Sequence, residues 1–322
     1  MLYNPKNMRS CLREIVREWG LMNAHPCVAD VTLVQGHALI EVEEAGELSV
    51  KQLASRLRLD HSSASRLAGR IAAAKLVSST PGKSDARERL LCLTPYGRAT
   101  LAKIHRESNL RVTQALELLS SDEQSVVASG LKLYARALSR ARQQQGFKIR
   151  PIQAKDDKAV ARIIRTVMPE YGATGPGCAL HDAEVDFMHR AYSQKGSAYF
   201  VVEQDSVVVG GGGVAALQGG DGITCELKKM YFLPTARGLG LGEKLLRLCL
   251  DTAALLGYHT CYLETLSKMV QAQQLYQKLG FHMLQAPRGE TGHSATDRWY
   301  EKELPPLLRI DDADVRRITP DV

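Results

Sequence analysis

The sequence predicts two domains of different class: a helix-dominated one with a small β element, then an α+β one whose sheet is mixed and mainly antiparallel. Three observations predict this. A chain of 322 residues is longer than one hydrophobic core usually serves. Its charge is divided: residues 1–147 hold 21 Lys and Arg against 14 Asp and Glu and so carry the whole net charge of +7, while residues 148–322 hold 21 of each sign. The apolar pattern changes at the same place, from helical periods to a succession of short strands and glycine-rich turns.

Hydrophobic content of 44% and charged content of 24% are those of an ordinary globular protein. Seven cysteines (Cys11, Cys27, Cys92, Cys178, Cys225, Cys249 and Cys261) form no C-x-x-C pair, and the start, MLYNPKNMRS, holds no signal-like apolar run. The expectation is a cytoplasmic protein with reduced thiols. No run approaches ~18 uninterrupted apolar residues, so no membrane partner is expected. The histidines show no H-E-x-x-H spacing, and no metal is expected. A basic first part beside a neutral second part suggests a polyanion-binding module joined to something else.

Leu48 to Val77 reads as two helices around a tight connection. Ser49 with Gln52 is a capping box, and Val50, Leu53, Ala54 and Leu57 follow at helical spacing. Asp60 or His61 caps a second helix with the stripe Ala64, Leu67, Ala68 and Ile71, leaving Ser62, Ser63, Arg66 and Arg70 on the opposite face. Serines for phosphates and arginines for guanine edges are what a recognition helix needs in the major groove. A helical hairpin with solvated arginines fits this stretch equally well.

The next segment, STPGKSDARERLLCLTPYG, adds a Pro81-Gly82 turn, basic Lys83, Arg87 and Arg89, and the returning apolar run Leu90 to Leu93. A basic hairpin after two such helices is a winged helix. Through Asp85, Arg87, Leu91, Leu93, Thr94 and Gly97 the segment resembles the wing of the MarR family of transcription regulators. The resemblance implies that Asp85 braces Arg87, that Arg87 approaches the minor groove, and that Ser63, Arg66 and Arg70 face the major groove. It also implies a homodimer on a pseudo-palindromic double-stranded DNA operator, with helices around Leu12 to Leu21 and Ala99 to Gln144 interlacing two copies.

The stretch RARQQQG, Arg140 to Gly146, closes the first domain, giving boundaries 1–146, 147–304 and a tail 305–322. The second domain is expected to run from a strand at Lys148 to Ile152 through helices at Asp156 to Met168 and His181 to Tyr192. Strands follow at Ala198 to Glu203, Val207 to Val214 and Cys225 to Leu233. The glycines from Gly210 to Gly213 suit a bulge or close backbone packing, since no helix follows them.

ARGLGLGEKLL, Ala236 to Leu246, lies between a strand and a helix whose stripe is Gly242, Leu245, Leu246, Cys249, Ala253 and Leu256. Strand, glycine turn and helix in this order direct backbone N–H groups and a positive helix end at an anion. A P-loop is excluded, because Lys244 is neither preceded by Gly nor followed by Ser or Thr. The dinucleotide pattern fits Gly238 and Gly240 but meets Glu243 where its third glycine belongs. The spacing that fits is R-x-x-G-x-G, Arg237, Gly240 and Gly242, which resembles the pyrophosphate turn of the GNAT acyltransferases. LYQKLGF, Leu275 to Phe281, resembles the same superfamily's helix-to-strand segment, and the strand HTCYLE lies between the two.

That resemblance implies acetyl-CoA, its diphosphate held by backbone N–H groups of Gly238, Leu239, Gly240, Leu241, Gly242 and Glu243, with Arg237 also at the cofactor. It implies that Met230, Tyr231 and Phe232 offer a splayed strand edge to the pantetheine arm, and that Tyr276 is the general acid. An amine must lose a proton before it attacks a thioester. Glu226 is the first choice for that base and Glu264 the competitor; either could instead recognise the amine's charge. His293, in the loop Pro287 to Leu304, is a substrate-contact candidate.

The function expected is acetyl-CoA-dependent N-acetylation of a small primary amine, an amino acid derivative or toxic metabolite, by an enzyme fused to a DNA-binding regulator. Two other readings stay open: a regulator that senses acetyl-CoA without turnover, and a protein-lysine acetyltransferase.

Overall fold

The computed structural model describes residues 4–22, 31–81 and 89–305. The chain forms two compact units, Met1–Gly130 and Leu131–Val322. The division falls inside one long helix, ahead of the join expected at Gly146.

The first unit contains α1 (Pro5–Glu18), α2 (Leu33–Ala45), β1 (Leu48–Ser49), α3 (Val50–Leu57), α4 (His61–Ala73), β2 (Val77–Pro81), β3 (Arg89–Leu93) and α5 (Pro95–Leu116), and α6 (Ser121–Gln143) starts in it. Ser49 and Gln52 form both bonds of the capping box, and Asp60 is the N-cap of α4, accepting from the Ser63 amide. The stripe Ala64, Leu67, Ala68 and Ile71 is buried, and its last three members share one core with Leu39, Leu53, Leu91 and Leu101. Helix α2 was not apparent in the sequence: its apolar residues surround the helix instead of marking one face, so no period shows. Separate helices α5 and α6 replace one long stretch because Ser120 and Glu123 cap a fresh start, Ser120 N donating to Glu123 Oε2 at 2.9 Å.

The second unit is α+β. Its strands are β4 (Phe147–Pro151), β5 (Ala198–Gln204), β6 (Val207–Ala216), β7 (Thr224–Phe232), β8 (Thr260–Thr265), β9 (His282–Leu284) and β10 (Arg298–Glu303). They make a seven-stranded sheet ordered β4-β5-β6-β7-β8-β10-β9. Every pair is antiparallel except β7 with β8. Alternation along β5 builds a core on each face. Phe200 and Val202 pack with α9 (Leu241–Leu255) and α10 (Val270–Lys278), whereas Tyr199 and Val201 pack with α7 (Asp157–Glu170) and α8 (Met188–Tyr192).

The single helix expected over His181 to Tyr192 is broken. Short 3-10 turns at Ala179–His181 and Ala183–Phe187 precede α8, and between them Asp182 is extended at φ −62°, ψ 134°. Its side chain is drawn into the site described next.

Candidate active site

Two irregularities in the sheet create the site. The first is a bulge in β7. Its register with β6 moves from Gly213↔Lys228 to Gly211↔Tyr231, so β7 carries one residue more than its partner. Lys229 takes the strain in the left-handed region at φ 53°. Its carbonyl accepts a bond from the buried Tyr199 hydroxyl at 2.9 Å. The glycine run makes room for this: a Cβ on Gly213 would stand 2.3 Å from the Ala198 carbonyl, and one on Gly211 would stand 2.8 Å from the Tyr199 ring. The run thus sits beneath a bulge on the neighbouring strand.

The second irregularity is a split. β7 and β8 pair only from Thr224↔Thr260 to Glu226↔Tyr262, although β7 continues to Phe232 and β8 to Thr265. Beyond Glu226 the β7 edge facing β8 has no ladder partner among the described residues, and it opens on two connected hollows. A long groove runs past Met230, Tyr231, Phe232, Arg237, Gly238, Gly240, Gly242 and Glu243. A deeper pocket holds Glu226, Lys228, Lys229, Glu264 and His293. Met230, Tyr231, Met269, Ala272 and Tyr276 line both.

At the groove's outer end Gly238 and Gly240 adopt φ 73° and 80°, conformations that only glycine takes freely. Gly240 caps α9, whose first i→i−4 bond comes from Lys244 N, so the amides of Leu241, Gly242 and Glu243 have no intrahelical acceptor. Leu239 turns its carbonyl to Gln144 Nε2 at 2.8 Å. Arg237 donates from Nε to the Phe232 carbonyl at 2.8 Å and from Nη1 to Glu170 at 2.6 Å, while its Nη2 is buried with no partner among the described residues. Free amides at a helix start beside an orphaned guanidinium nitrogen suit a diphosphate. The Glu243 carboxylate is committed elsewhere, to Arg247 at 3.0 Å and Lys278 at 2.5 Å, so only its backbone is available.

At the inner end the two glutamates of the sequence reading lie on either side of His293. Glu264 is saturated: Oε1 accepts from Tyr262 at 2.8 Å and Thr291 at 2.9 Å, and Oε2 from Thr296 at 2.9 Å. Glu226 is 3% exposed and accepts no hydrogen bond among the described residues; Lys228 Nζ stands 3.9 Å away. Burial pushes its carboxyl above the usual range and the Glu264 charge adds to this, against the pull of Lys228 and His293. His293 places Nδ1 at 3.8 Å from Glu226 Oε1 and from Glu264 Oε2, and Nε2 at 2.9 Å from Asp182.

Asp182, Glu184 and Lys229 did not stand out in the sequence. Lys229 Nζ, fully buried, lies 2.5 Å from Asp182 Oδ2 and 2.8 Å from Glu184 Oε1. Burial raises the Asp182 carboxyl, but its bonds to His293 and Lys229 outweigh this and hold it at about 2. The adjacent lysines of ELKKM are the only trace these partners leave, because a charged pair in a strand ordinarily reads as a solvated edge.

Tyr276, on α10, is buried with Phe281 and Tyr300, their ring centroids 5.8 and 6.1 Å away. Burial pushes its phenol well up, so the hydroxyl keeps its proton across the physiological range.

On α4 of the first unit, Ser63, Arg66 and Arg70 line one surface groove. Ser62 is exposed beside them, its hydroxyl given to Asp60 at 2.5 Å. Arg89 grips Ser79 across the hairpin, Nε to Oγ 3.0 Å, and so braces β2 against β3. Lys83, Asp85 and Arg87 lie outside the described residues, as does most of the tail.

A split parallel strand pair, a bulge at its mouth and a glycine-capped helix start together define an acyltransferase fold of the GNAT type. Residues 160–281 match the acetyltransferase (GNAT) family and residues 29–88 the MarR family. The N-acetyltransferase YjgM of Escherichia coli is 44% identical over 146 residues, which are 45% of this chain and 87% of that protein. The HTH-type transcriptional regulator YfiV of Bacillus subtilis is 25% identical over 115 residues, 36% of this chain and 72% of that protein. A GNAT-family acetyltransferase structure from Staphylococcus aureus covers 49% of this chain and 99% of its own, at 20% identity and a TM-score of 0.44. The chain belongs to the GNAT family of N-acetyltransferases and carries a MarR-family domain before the catalytic fold. No helix among the described residues is long and apolar enough to cross a membrane.

Proposed function

We propose that the second unit transfers the acetyl group of acetyl-CoA to a small primary amine, and that the first unit binds operator DNA as a homodimer. One observation carries the enzymatic part: the β7 edge beyond Glu226, unpaired among the described residues, leads from the glycine turn to a buried carboxylate that accepts no hydrogen bond from any described residue.

Acetyl-CoA supplies the acetyl group already activated as a thioester. The α9 amides from Leu241 to Glu243, the Gly238–Gly240 turn and Arg237 Nη2 would hold its diphosphate, and the Met230–Phe232 edge its pantetheine. Glu226 receives the ammonium group, since a buried carboxylate without a donor is stabilised by an incoming cation. Tyr276 faces both hollows and retains the proton that a departing thiolate requires.

For the first unit, Ser62, Ser63, Arg66 and Arg70 would enter the major groove, with Lys83, Arg87 and Arg89 along the wing. Exposed apolar side chains on α1, α5 and α6, among them Ile15, Leu110 and Val126, favour a second copy as the partner that covers them.

Thiol release across a panel of primary amines tests the reading. Turnover lost in Tyr276→Phe and kept in Arg66→Ala, with operator binding lost in Arg66→Ala and kept in Tyr276→Phe, is the expected pattern. No turnover with any amine, together with operator affinity that responds to acetyl-CoA, would replace it with the acetyl-CoA sensor. Acetyl-lysine on added protein, with no small-amine turnover, would replace it with the protein acetyltransferase.

A further inference from the structure

We propose that His293, oriented by Asp182, is the base that takes the proton from the bound ammonium. The inference rests on the acetyltransferase reading above and replaces Glu226 in the base's role, leaving Glu226 as the group that binds the charge.

The tautomer follows from the surroundings. Asp182 Oδ2 accepts from Lys229 Nζ at 2.5 Å and lies 2.9 Å from His293 Nε2. An ionised carboxylate can only accept, so Nε2 carries the hydrogen and Nδ1 of the neutral ring carries the lone pair. Nδ1 has no donor among the described residues: its neighbours at 3.8 Å, Glu226 Oε1 and Glu264 Oε2, are themselves acceptors and stand beyond hydrogen-bond reach. Nδ1 and Glu226 Oε1 thus face one point in the pocket with no hydrogen between them. An ammonium nitrogen placed ~2.9 Å from Nδ1 and from Glu226 Oε1 fits that point, and its N–H groups are what the cluster lacks.

Glu264 serves this arrangement without taking part in it. Its donors Thr291 and Thr296 flank His293 on the same loop, so the carboxylate pins that loop against β8 and fixes the ring's approach. It is a positioning residue, and so is Asp182.

In the step proposed, one N–H bond of the ammonium breaks and an N–H bond forms at Nδ1. The amine recovers its electron pair, the Nε2–H stays on the ring and continues to donate to Asp182, and the positive charge moves onto the ring; water later takes the proton from Nδ1. The imidazolium then lies among Asp182 from the segment before α8, Glu226 on β7 and Glu264 on β8. Opposing it are Lys228 and Lys229 on β7, both paired with Glu184. Imidazole is better matched than a carboxylate to removing a proton near neutral pH.

Three variants of the full-length chain test this, with acetyl-CoA binding by calorimetry as the folding control. His293→Gln should lower kcat/KM at neutral pH by ~10²-fold or more and leave acetyl-CoA affinity unchanged. The deficit should shrink as pH rises and the amine arrives already neutral. Asp182→Asn should lose a comparable factor, because an amide can donate to Nε2 and move the ring hydrogen to Nδ1. Glu226→Gln should instead raise KM for the amine with a smaller change in kcat.

A readout independent of turnover is ¹⁵N NMR of histidine-labelled protein, which should report the Nε2–H tautomer for His293 and the Nδ1–H tautomer in Asp182→Asn. An Nδ1–H tautomer in the unmodified protein overturns the proposal. So does His293→Gln with unchanged kcat/KM across the pH range in a protein that Tyr276→Phe inactivates, and there the acetyltransferase reading survives. Absence of turnover with every amine overturns both.

Discussion

Lys229, the residue at which β7 bulges, ends its side chain 2.5 Å from Asp182, the residue at which the helix expected over His181 to Tyr192 breaks. Two departures from regular structure are thus joined by one ion pair between a fully buried lysine and a half-buried aspartate, with Glu184 as a third member. Each departure explains the other: the bulge turns Lys229 off the sheet, and the extended backbone at Asp182 delivers a carboxylate to meet it. Removing the cation alone leaves Asp182 and Glu184 facing each other. Lys229→Met is therefore expected to destabilise the second unit by ~3–5 kcal/mol, read from the thermal transition assigned to that unit. A melting point within a degree of the original would show that the pair does not hold the loop.

The same pair sets an acid limit. The Asp182 carboxyl is held down at about 2 against an ordinary 3.8, so its stabilising contribution is fully present above pH ~4 and disappears as pH falls through 2. Glu184, also lowered because Lys229 and Lys228 outweigh its burial, acts in the same direction. Urea midpoints measured from pH 5 to 2.5 should fall more steeply for the native chain than for Asp182→Asn. Parallel curves would contradict the assignment.

Glu226 has the opposite sign. Its carboxyl is raised by burial, so it favours the folded state while protonated and costs stability as pH rises through its folded-state value. Glu226→Gln is expected to stabilise the unit by ~1 kcal/mol at pH 7, a rise of ~2–4 °C, with the gap closing toward pH 4. The same variant should bind amine poorly, which is the trade expected of a group retained for function. A variant that melts below the native protein at pH 7 would mean that an undetected partner satisfies the carboxylate.

These residues mark where sequence reading stops. The glycine turn, the helix it caps and the α4 face are each encoded by a few consecutive residues whose spacing has a local physical meaning, and they lie on the elements expected, whereas Tyr276 is marked only by the resemblance of LYQKLGF. The segment around Asp182 is different. Helical spacing there is overruled by a contact 47 residues away with Lys229, and no local pattern reports a partner that far off. Glu226 and Glu264 were both visible as carboxylates, but their difference lies in three hydroxyls, two of them on a distant loop. Helix α2 leaves no signal for a simpler reason, an apolar surface with no single face.

The glycines of β6 give a steric prediction. Gly213→Ala would bring its Cβ to 2.3 Å from the Ala198 carbonyl and 2.6 Å from the Tyr199 ring, and strand pairing leaves neither free to retreat. A cost of ~3 kcal/mol or more is expected, with loss of turnover because the bulge rests on the same ring. Tyr199→Phe is the milder probe. It removes only the donor to the Lys229 carbonyl and should cost ~1–3 kcal/mol. If Gly213→Ala were as stable as the native chain, the glycine run would have some purpose other than seating the bulge.

Arg237 separates charge from geometry at the groove's outer end. Its guanidinium serves the Phe232 carbonyl through Nε and Glu170 through Nη1 and still presents a buried Nη2 without a partner among the described residues. A planar fork can meet all three demands at once, and a lysine ammonium at the end of a flexible stem cannot. Arg237→Lys, which keeps the charge, is accordingly expected to weaken acetyl-CoA binding by ~10-fold, and Arg237→Ala somewhat further, because the bond from Nη2 to a phosphate oxygen is lost in both. Calorimetry on the full-length variants measures this, with Arg66→Ala on α4 as the control that should leave it unchanged. Glu170→Gln provides the complementary test: the neutral amide still accepts from Nη1 but no longer draws the guanidinium electrostatically, so affinity should drop by less than in Arg237→Lys. Native affinity in Arg237→Lys would mean that the α9 amides alone hold the diphosphate and that Arg237 merely ties the end of β7 to α7.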